Sequence, residues 1–517
     1  MGGGIMQLAI QGCQNIWLTS NPQITFWKAV YRRYANFALD TIDEPIIPIN
    51  FGSKASVTIS KTGDLLGRCY LKLNISGGTA PTGASWAWVR RLGHEIINTV
   101  ELYIGGQLID RHYGTWLNVW YDLTHDIAHD AGYQKMIGNI PELTEMQNSH
   151  SSATLYVPLK FFFCNYLNTP LPVVALSHAP IKIDFQIKPL EQLIVSSGFN
   201  TSAPGASMGI FIDSASVVTE VMYLEPAERH VFVKDANEIL ISSLQHYGND
   251  AVTTNTQIIN LAYHHVVKEL IWVTRLGKYI NTNGTNRYLA YHPTQIDTLR
   301  HNATKRFALA LASYDAGGNL ILSNNLLVPR SGLPSQLLAR FNAISAAAVT
   351  TSPTIGNISI LGELLTLEEV STPTSELFTG VTRPDAGDGQ GIYDVVVRMN
   401  DNYGKYIDGT GSLLKKGTLS FNGVERMKQE AAYYNLVQPL QHHTNVPQEG
   451  IYVYSFAVKP EEWQPSGVAN FSSLDTAVLN LAFETGTAGD NTITSVYAVN
   501  YNLLKIMGGQ AGLSFTL

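Results

Sequence analysis

Two runs of this chain carry histidines at spacings that could hold a metal. His94 and Glu95 begin an HExx pattern, which in a zinc peptidase puts two imidazoles on one helix face beside a glutamate general base. Asn98 stands where the second histidine is required, so the motif fails. His125 and His129 do have i, i+4 spacing, with Asp122, Asp126 and Asp130 interleaved. On a helix their rings would share a face, yet no third ligand stands beside them, and a polar helix held by local pairs is the plainer expectation. His264–His265 and His442–His443 are adjacent pairs, which on a strand point to opposite faces and suit hydrogen bonding rather than chelation. No metal site is assigned.

Glu461 and Glu462 beside Trp463 have the composition of a carboxylate next to an aromatic sugar platform. Glycoside hydrolysis needs two carboxylates facing each other across the sugar, about 5–10 Å apart. Adjacency in sequence does not supply that, so a turn carrying solvated acids is expected. GxSxG, P-loop and GxGxxG motifs do not occur in their required contexts, and Gly2–Gly4 opens the chain rather than following a strand. No catalytic residue and no cofactor is assigned, and the chain reads as not an enzyme. Cys13, Cys69 and Cys164 have neither CxxC nor CxxH spacing. A disulfide scaffold and a cysteine zinc site are therefore not expected, and a reducing place of synthesis fits. N-x-S/T sequences occur at Asn74, Asn200, Asn283, Asn302, Asn357 and Asn470. Asn200 and Asn357 fall in predicted surface loops and are the candidate glycosylation positions.

The elements around these residues are mostly strands. Ile181, Ile183, Phe185 and Ile187 alternate with Lys182, Asp184, Gln186 and Lys188, the period of a half-buried strand. VELYI and QLID flank Gly105–Gly106 as a hairpin, and KASVTI and CYLKLNI flank TGD in the same manner. YVYSFAV and VYAVNYNLL repeat the pattern, the latter with Tyr497, Val499, Tyr501 and Leu503 on one face. Helical signals are fewer. Asn21–Pro22 reads as an N-cap with proline at the first helical position, followed by Phe26, Trp27, Val30, Tyr31 and Tyr34 at helical spacing with Arg32 and Arg33 on the other side. Short helices are also predicted around Trp116–His129 and Glu425–Tyr434.

With 517 residues, 45% hydrophobic and only 15% charged, the chain can fill sizeable cores, and its charged fraction is well under the usual value of roughly 25%. Its formal charge of −7 argues against genome packaging, because phosphate contacts call for a basic surface. The N-terminal residues lack the basic and apolar regions of a secretory signal, and no run approaches the ~18 apolar residues of a membrane span, so a soluble chain is expected. YLEPAER at Tyr223–Arg229 separates two stranded blocks; small-residue, low-charge stretches at 195–209 and within 340–390 read as long loops. Short strands punctuated by Gly, Asn, Pro and Ser predict an all-β, sandwich-based architecture.

Several runs resemble the major capsid proteins of the nucleocytoplasmic large DNA viruses. They are GGGIMQLAIQGCQNIWLTSNPQITFWKAVYRRYANF, WVRRLGHEIINTVELYIGGQLIDRHYGTWLNVWYDLT, LYVPLKFFFCNYLNTPLPVVALSHAPIKI, VKELIWV, YYNLVQPLQHHTNVPQEGIYVYSFAVKPEEWQPSGVANFSSLD and YAVNYNLLKIMGGQAGLSF. They span both blocks in the family's order and leave about 275–390 unmatched. The resemblance implies two tandem eight-stranded jelly-roll sandwiches, a double jelly roll with short helices and long loop insertions. It implies an inward-facing arm at 1–25, a first jelly roll at 26–223 and a second at 224–517, whose insertions at about 275–390 form the outer loops. The implied function is a structural one: homotrimeric, pseudo-hexagonal capsomers tiling the icosahedral shell of a large double-stranded DNA virus. Implied partners are further copies of the chain and minor capsid proteins, through which the shell meets an internal membrane, with no direct genome binding. Synthesis and assembly in the host cytoplasm and residence in the virion capsid follow. Candidate interface residues are Phe26, Trp27, Tyr31 and Tyr34 on the first helix, and Trp116, Trp120 and Tyr121 at a subunit contact; core filling is the competing expectation for both groups. A carbohydrate-binding or carbohydrate-cleaving sandwich is the alternative, with Trp463 as its platform.

Overall fold

The computed structural model describes residues 3–23, 33–81, 85–144, 147–166, 168–197, 208–234, 236–277, 320–321, 327–328, 403–404, 411–447, 449–484, 487–488 and 492–515. Two short helices, α1 (Gly3–Ala9) and α2 (Cys13–Thr19), precede the first strand. The first block contributes β1 (Phe37–Pro45), β2 (Lys54–Ile59), β3 (Leu65–Ile75), β4 (Ile97–Ile104), β5 (Gln107–Tyr113), β6 (Ala153–Pro158), β7 (Ile181–Ile187) and β8 (Ile212–Leu224). Between them lie α3 (Leu92–Ile96), α4 (Gly114–Thr124), α5 (Asp130–Met136) and α6 (Phe162–Asn165). After α7 (Pro226–Lys234), the second block contributes β9 (Asn237–Gln245), β10 (Thr256–Asn260), β11 (Val266–Arg275), β12 (Leu414–Phe421), β13 (Val424–Glu430), β14 (Ile451–Ser455), β15 (Ala477–Phe483) and β16 (Ile493–Met507), with α8 (Gln438–His442) before β14.

The pairing is antiparallel throughout. In the first block β1, β8, β3 and β6 form one sheet and β2, β7, β4 and β5 the other. In the second block the sheets are β9, β16, β11, β14 and β10, β15, β12, β13. Adding eight to each strand of the first block yields the second, so each block is an eight-stranded jelly roll with one topology, and the chain is a double jelly roll.

Alternation sets which face each strand buries. β2 and β7 alternate strictly between exposed or half-buried and buried positions, with Ile181 opposite Ile59 and Ile183 opposite Val57. The Gly105–Gly106 hairpin forms as expected: both glycines have positive φ, 60° and 83°, as a two-residue turn between right-twisted strands requires. The TGD turn does not make a hairpin; β2 and β3 lie in opposite sheets, so TGD carries the chain across the sandwich. The helix expected over Glu425–Tyr434 is also corrected. Val424–Glu430 is a strand paired with β12, and helical backbone begins only after it, with a π turn at Tyr433–Val437. The missed signal was Asn422–Gly423, both at positive φ and joining two strands in a tight hairpin. The charged side chains of β13 suit an exposed sheet edge, where they discourage further pairing. Asn21 has a left-handed backbone, φ 52°, rather than N-cap geometry; the helix expected from there through Tyr34 lies on 24–32 outside the described residues, and Arg33 and Tyr34 are not helical.

Three apolar clusters hold the body together. The first barrel is filled largely by aliphatic side chains such as Leu66, Leu71, Leu102, Ile181 and Ile183, with Trp86, Trp88 and Phe185. The second is rich in aromatics, including Tyr263, Trp272, Tyr434, Tyr452, Tyr454, Phe471 and Phe483. The third joins α4 to β11, β14 and β16 and lies between the barrels. Ile241, Leu504 and Ile506 of the second block enter the first core, so the two barrels are not independently buried.

Candidate functional site

Two regions stand apart from ordinary core: the seam between the barrels and the arm ahead of them. Helix α4 makes the seam. It starts at Gly114, where a Cβ would lie 2.3 Å from the Ile97 carbonyl oxygen and 2.6 Å from that of His94, so only glycine admits this close turn. Trp116, Val119 and Leu123 then recur at helical spacing and face Ile271, Val273, Ile451, Val453, Tyr497 and Val499 of the second barrel. The Trp116 ring lies 5.3 Å from Trp120 and 5.2 Å from Tyr497. The neighbouring residue Leu117 enters the first core instead, so one helix serves both barrels.

The failed HExx run packs against α4 from within the first block. His94 and Glu95 are buried on α3, and Asn118 of α4 bridges them. His94 Nδ1 lies 2.8 Å from Asn118 Oδ1, and the Asn118 amide donates to Glu95 Oε1 at 2.6 Å. An amide oxygen only accepts, so Nδ1 donates to it, while Nε2 lies 2.9 Å from the Tyr133 hydroxyl. Lys188 pairs with Glu95 at 2.7 Å and balances its buried charge. Arg91 pairs with Asp122 of α4 at 2.6 Å; burial opposes its charge, but the Asp122 carboxylate prevails and raises its pKa.

A second polar cluster closes the other side. His443 is fully buried, with Nδ1 2.9 Å from Glu461 Oε1 and Nε2 3.1 Å from Glu269 Oε2 of β11. The Glu269 contact is an ion pair without hydrogen-bond alignment. Burial pulls the His443 pKa down, but the Glu269 charge and the contacts with both carboxylates outweigh it and push the ring up to about 9. Burial likewise opposes ionisation of Glu461, yet hydrogen bonds from His443 and Thr444 hold its carboxyl below the usual range. The neighbouring Lys268 is buried, donates to the Pro460 carbonyl at 2.7 Å and lies 5.4 Å from the Tyr501 ring; burial lowers its pKa against the pull of Glu269 and Glu461. This cluster reaches the first barrel, because Tyr166 donates to the Glu461 carbonyl at 2.9 Å and Asn445 donates to the carbonyls of Leu123 and Asp122. Glu461 is therefore a clamp across the seam rather than the solvated turn acid expected of it. Glu462 is exposed and pairs with Lys459, and Trp463 is 36% exposed. His442 contacts the Val458 carbonyl oxygen, and the His265 amide donates to Ser472.

His125 and His129 do not share a helix face. α4 ends at Thr124, His125 stacks on Tyr121, and His129 pairs with Asp126 in the following turn. Of the candidate interface residues, Trp116 is 3% and Tyr121 4% exposed within the single chain, and Trp120 is half-buried against Trp116 and His443. Within the single chain Trp116 packs in the seam, and Tyr121 is buried against Tyr133 and His125 of the first block. Tyr34 is 85% exposed, whereas Phe26, Trp27 and Tyr31 lie outside the described residues, as do Asn200 and Asn357.

The arm has the opposite character. α1 and α2 bury no residue, and Ile5, Leu8, Ile10, Ile16, Trp17 and Leu18 are all exposed. Exposed Phe37 and Leu39 on β1, the edge strand of the first barrel, extend the apolar surface near Tyr34.

Comparison with known proteins covers both blocks. Residues 25–225 match the family model for the major capsid protein N-terminus, and residues 228–512 match that of the large eukaryotic DNA virus major capsid protein. Capsid protein 1 of Acanthamoeba polyphaga mimivirus is 32% identical, and the major capsid protein of Phaeocystis pouchetii virus 34%, each alignment covering 100% of both chains. Among solved structures, a quasi-atomic description of the PBCV-1 virus capsid superposes with a TM-score of 0.60 at 26% identity, covering 95% of this chain and 100% of that one. The Faustovirus major capsid protein superposes at 0.62 over 96% of this chain and 94% of that one; at 11% identity it speaks to the fold alone.

Proposed function

We infer the function from one premise: this chain belongs to the major capsid protein family of large eukaryotic DNA viruses. It is a structural protein of the virion capsid, not an enzyme. Beyond that, we propose that three copies form a homotrimeric capsomer of pseudo-hexagonal outline that tiles an icosahedral shell. The observation that carries this is the repeated strand order in two barrels joined by a buried seam. Three copies of such a pair offer six similar corners, and a hexagonal tile needs few kinds of contact.

In this reading residues 1–25 are an inward-facing arm, 26–223 and 224–517 the two barrels, and about 275–390 outer loops. The exposed apolar arm meets minor capsid proteins or a neighbouring capsomer, and those minor proteins link the shell to an internal membrane. The negative net charge suits a shell that makes no direct contact with DNA. Synthesis and assembly take place in the host cytoplasm. Light scattering on the purified chain tests the capsomer: a species near three times 56.7 kDa with a hexagonal outline in negative stain is expected, and a clean monomer at shell-forming concentrations overturns it.

A further inference from the structure

Besides the α4 seam, a hairpin of the second barrel reaches across to the first. β16 turns at Gly508 and Gly509 into the short strand β17 (Gln510–Leu513), which pairs back along 504–507. Both glycines have positive φ, 61° and 79°, as a two-residue turn between right-twisted strands requires. The Gly509 carbonyl accepts from two amides of the first barrel, His178 at 2.9 Å and Ala179 at 3.1 Å. A Cβ on Gly509 would lie 2.2 Å from Ser177 Oγ and 2.8 Å from His178 Cδ2, so the turn seats there only as glycine. The Leu513 amide donates to Gln107 Oε1 at 3.3 Å, and Ala511 and Leu513 pack half-buried against the first core. The receiving loop, 176–180, is held from its own side. Lys61 donates to the Ser177 carbonyl at 3.2 Å, and the Gly105 amide to the Pro180 carbonyl at 2.9 Å.

This contact is built differently from the α4 seam. β17 buries no residue. Beside it lies a cleft of about 380 Å³ lined from both barrels by Asp110, Leu244, His246 and Asn502, and by Leu513 and Phe515 of the hairpin and its tail. Undocking the hairpin gives up the three hydrogen bonds just named and little apolar area, whereas parting α4 from the second barrel would expose Trp116, Val119 and Leu123. Elements with few buried contacts open at the low end of a protein's free-energy range. We propose that the β16–β17 hairpin is a releasable latch. It undocks from the 176–180 loop and from Gln107 while both barrels stay folded, and docking it fixes how the second barrel sits on the first along this edge. In a tile of the kind proposed above, release lets that edge adjust to its neighbours; this use rests on the capsid reading, whereas the latch itself does not.

The test is amide hydrogen exchange on the full chain, resolved to single amides by mass spectrometry. In the wild type the His178, Ala179 and Leu513 amides should exchange together, through one opening that leaves β7 and β11 protected. Gly509→Val puts a side chain where Ser177 stands and should speed His178 and Ala179 by about tenfold or more, with the barrel strands unchanged. Gly508→Ala shares the left-handed backbone but meets no atom within 4 Å, so it should move these amides far less. Gln107→Ala keeps the turn and removes the Leu513 acceptor, and it serves if the Gly509 variant does not fold; it should speed all three amides together. Exchange of His178 and Ala179 only in step with β7 and β11 would mean a contact that never opens by itself, and overturns the latch. So does a folded Gly509 variant in which they keep the wild-type rate, or a Gln107 variant that speeds Leu513 alone. Because exchange needs no assembly, a failure here is distinct from a failure to find capsomers.

Discussion

The two barrels share a strand order and differ in what fills them. The first core is dominated by Leu, Ile and Val, and no tyrosine is among its buried members in the described residues. The second places tyrosines inside, and their hydroxyls find fixed partners: Tyr263 donates to the Val496 carbonyl, Tyr434 to that of Gly417, and Tyr452 meets Ser412. Aliphatic packing is non-directional and sensitive to volume, whereas a buried hydroxyl must meet its acceptor at the right angle. One topology is thus stabilised by shape in the first barrel and by shape plus position-specific hydrogen bonds in the second. The seam combines both, with Trp116 supplying area and the His443 cluster supplying charge pairing.

The largest effect should come from cutting the seam. Trp116→Ala removes a buried indole wedged between Trp120 and Tyr497 and should cost about 3–5 kcal/mol. In denaturant titrations followed by calorimetry, a single wild-type transition should split in two as the barrels lose their coupling; an unsplit transition of unchanged midpoint would break the idea that α4 joins them.

Alkaline pH should loosen the same seam from its other side. The His443 pKa is raised to about 9 from an unfolded value near 6.5, so its contribution is complete below about 6.5 and is lost as pH rises through about 9. The difference corresponds to about 3 kcal/mol at most, and His443→Gln should flatten the fall in melting midpoint between neutral pH and pH 10. Glu461 acts with opposite sign: its lowered pKa means that its contribution disappears as pH falls through the folded value. An alkaline fall that is identical in the His443 variant would remove the imidazolium from the account.

Within the barrels the contrast should show as two sizes of effect. Leu71→Ala empties a fully buried site in the first core and should cost about 2–5 kcal/mol. Tyr434→Phe keeps the ring, removes a 3.0 Å hydrogen bond and should cost about 1 kcal/mol. If the hydroxyl deletion were neutral, position-specific bonding would not distinguish the second core. The smallest effect on stability belongs to the arm. Deleting residues 2–20 should leave the melting midpoint and the capsomer mass unchanged while abolishing shells in electron micrographs, and normal shells would remove the arm from assembly.

Much of the fold was legible locally. Alternation at Ile181–Ile187 and the glycine pair at 105–106 both report on neighbours one or two residues away, and both elements formed. The Val424–Glu430 strand was misread because its side chains point almost entirely to solvent, leaving no apolar period to see. The seam was less legible still. Nothing near His443 in sequence distinguishes it from His442, yet one is buried between two carboxylates and the other lies near the surface. Trp116 was recognisable as a large apolar side chain, but not its place between Trp120 and Tyr497.

The sequence by itself determined the strand at Ile181–Ile187 and the turn at Gly105–Gly106, that two stranded blocks follow each other, and, through the resemblance of its runs, which family they belong to. Those properties rest on side-chain period and local backbone preference, which a few consecutive residues settle. Only the tertiary structure decided that α4 faces two barrels at once and that Glu269 meets His443. It also decided that Glu461 serves as a clamp and that the arm remains uncovered. Burial and charge pairing depend on residues brought together from distant parts of the chain, and their energies exist only once the barrels have closed on each other.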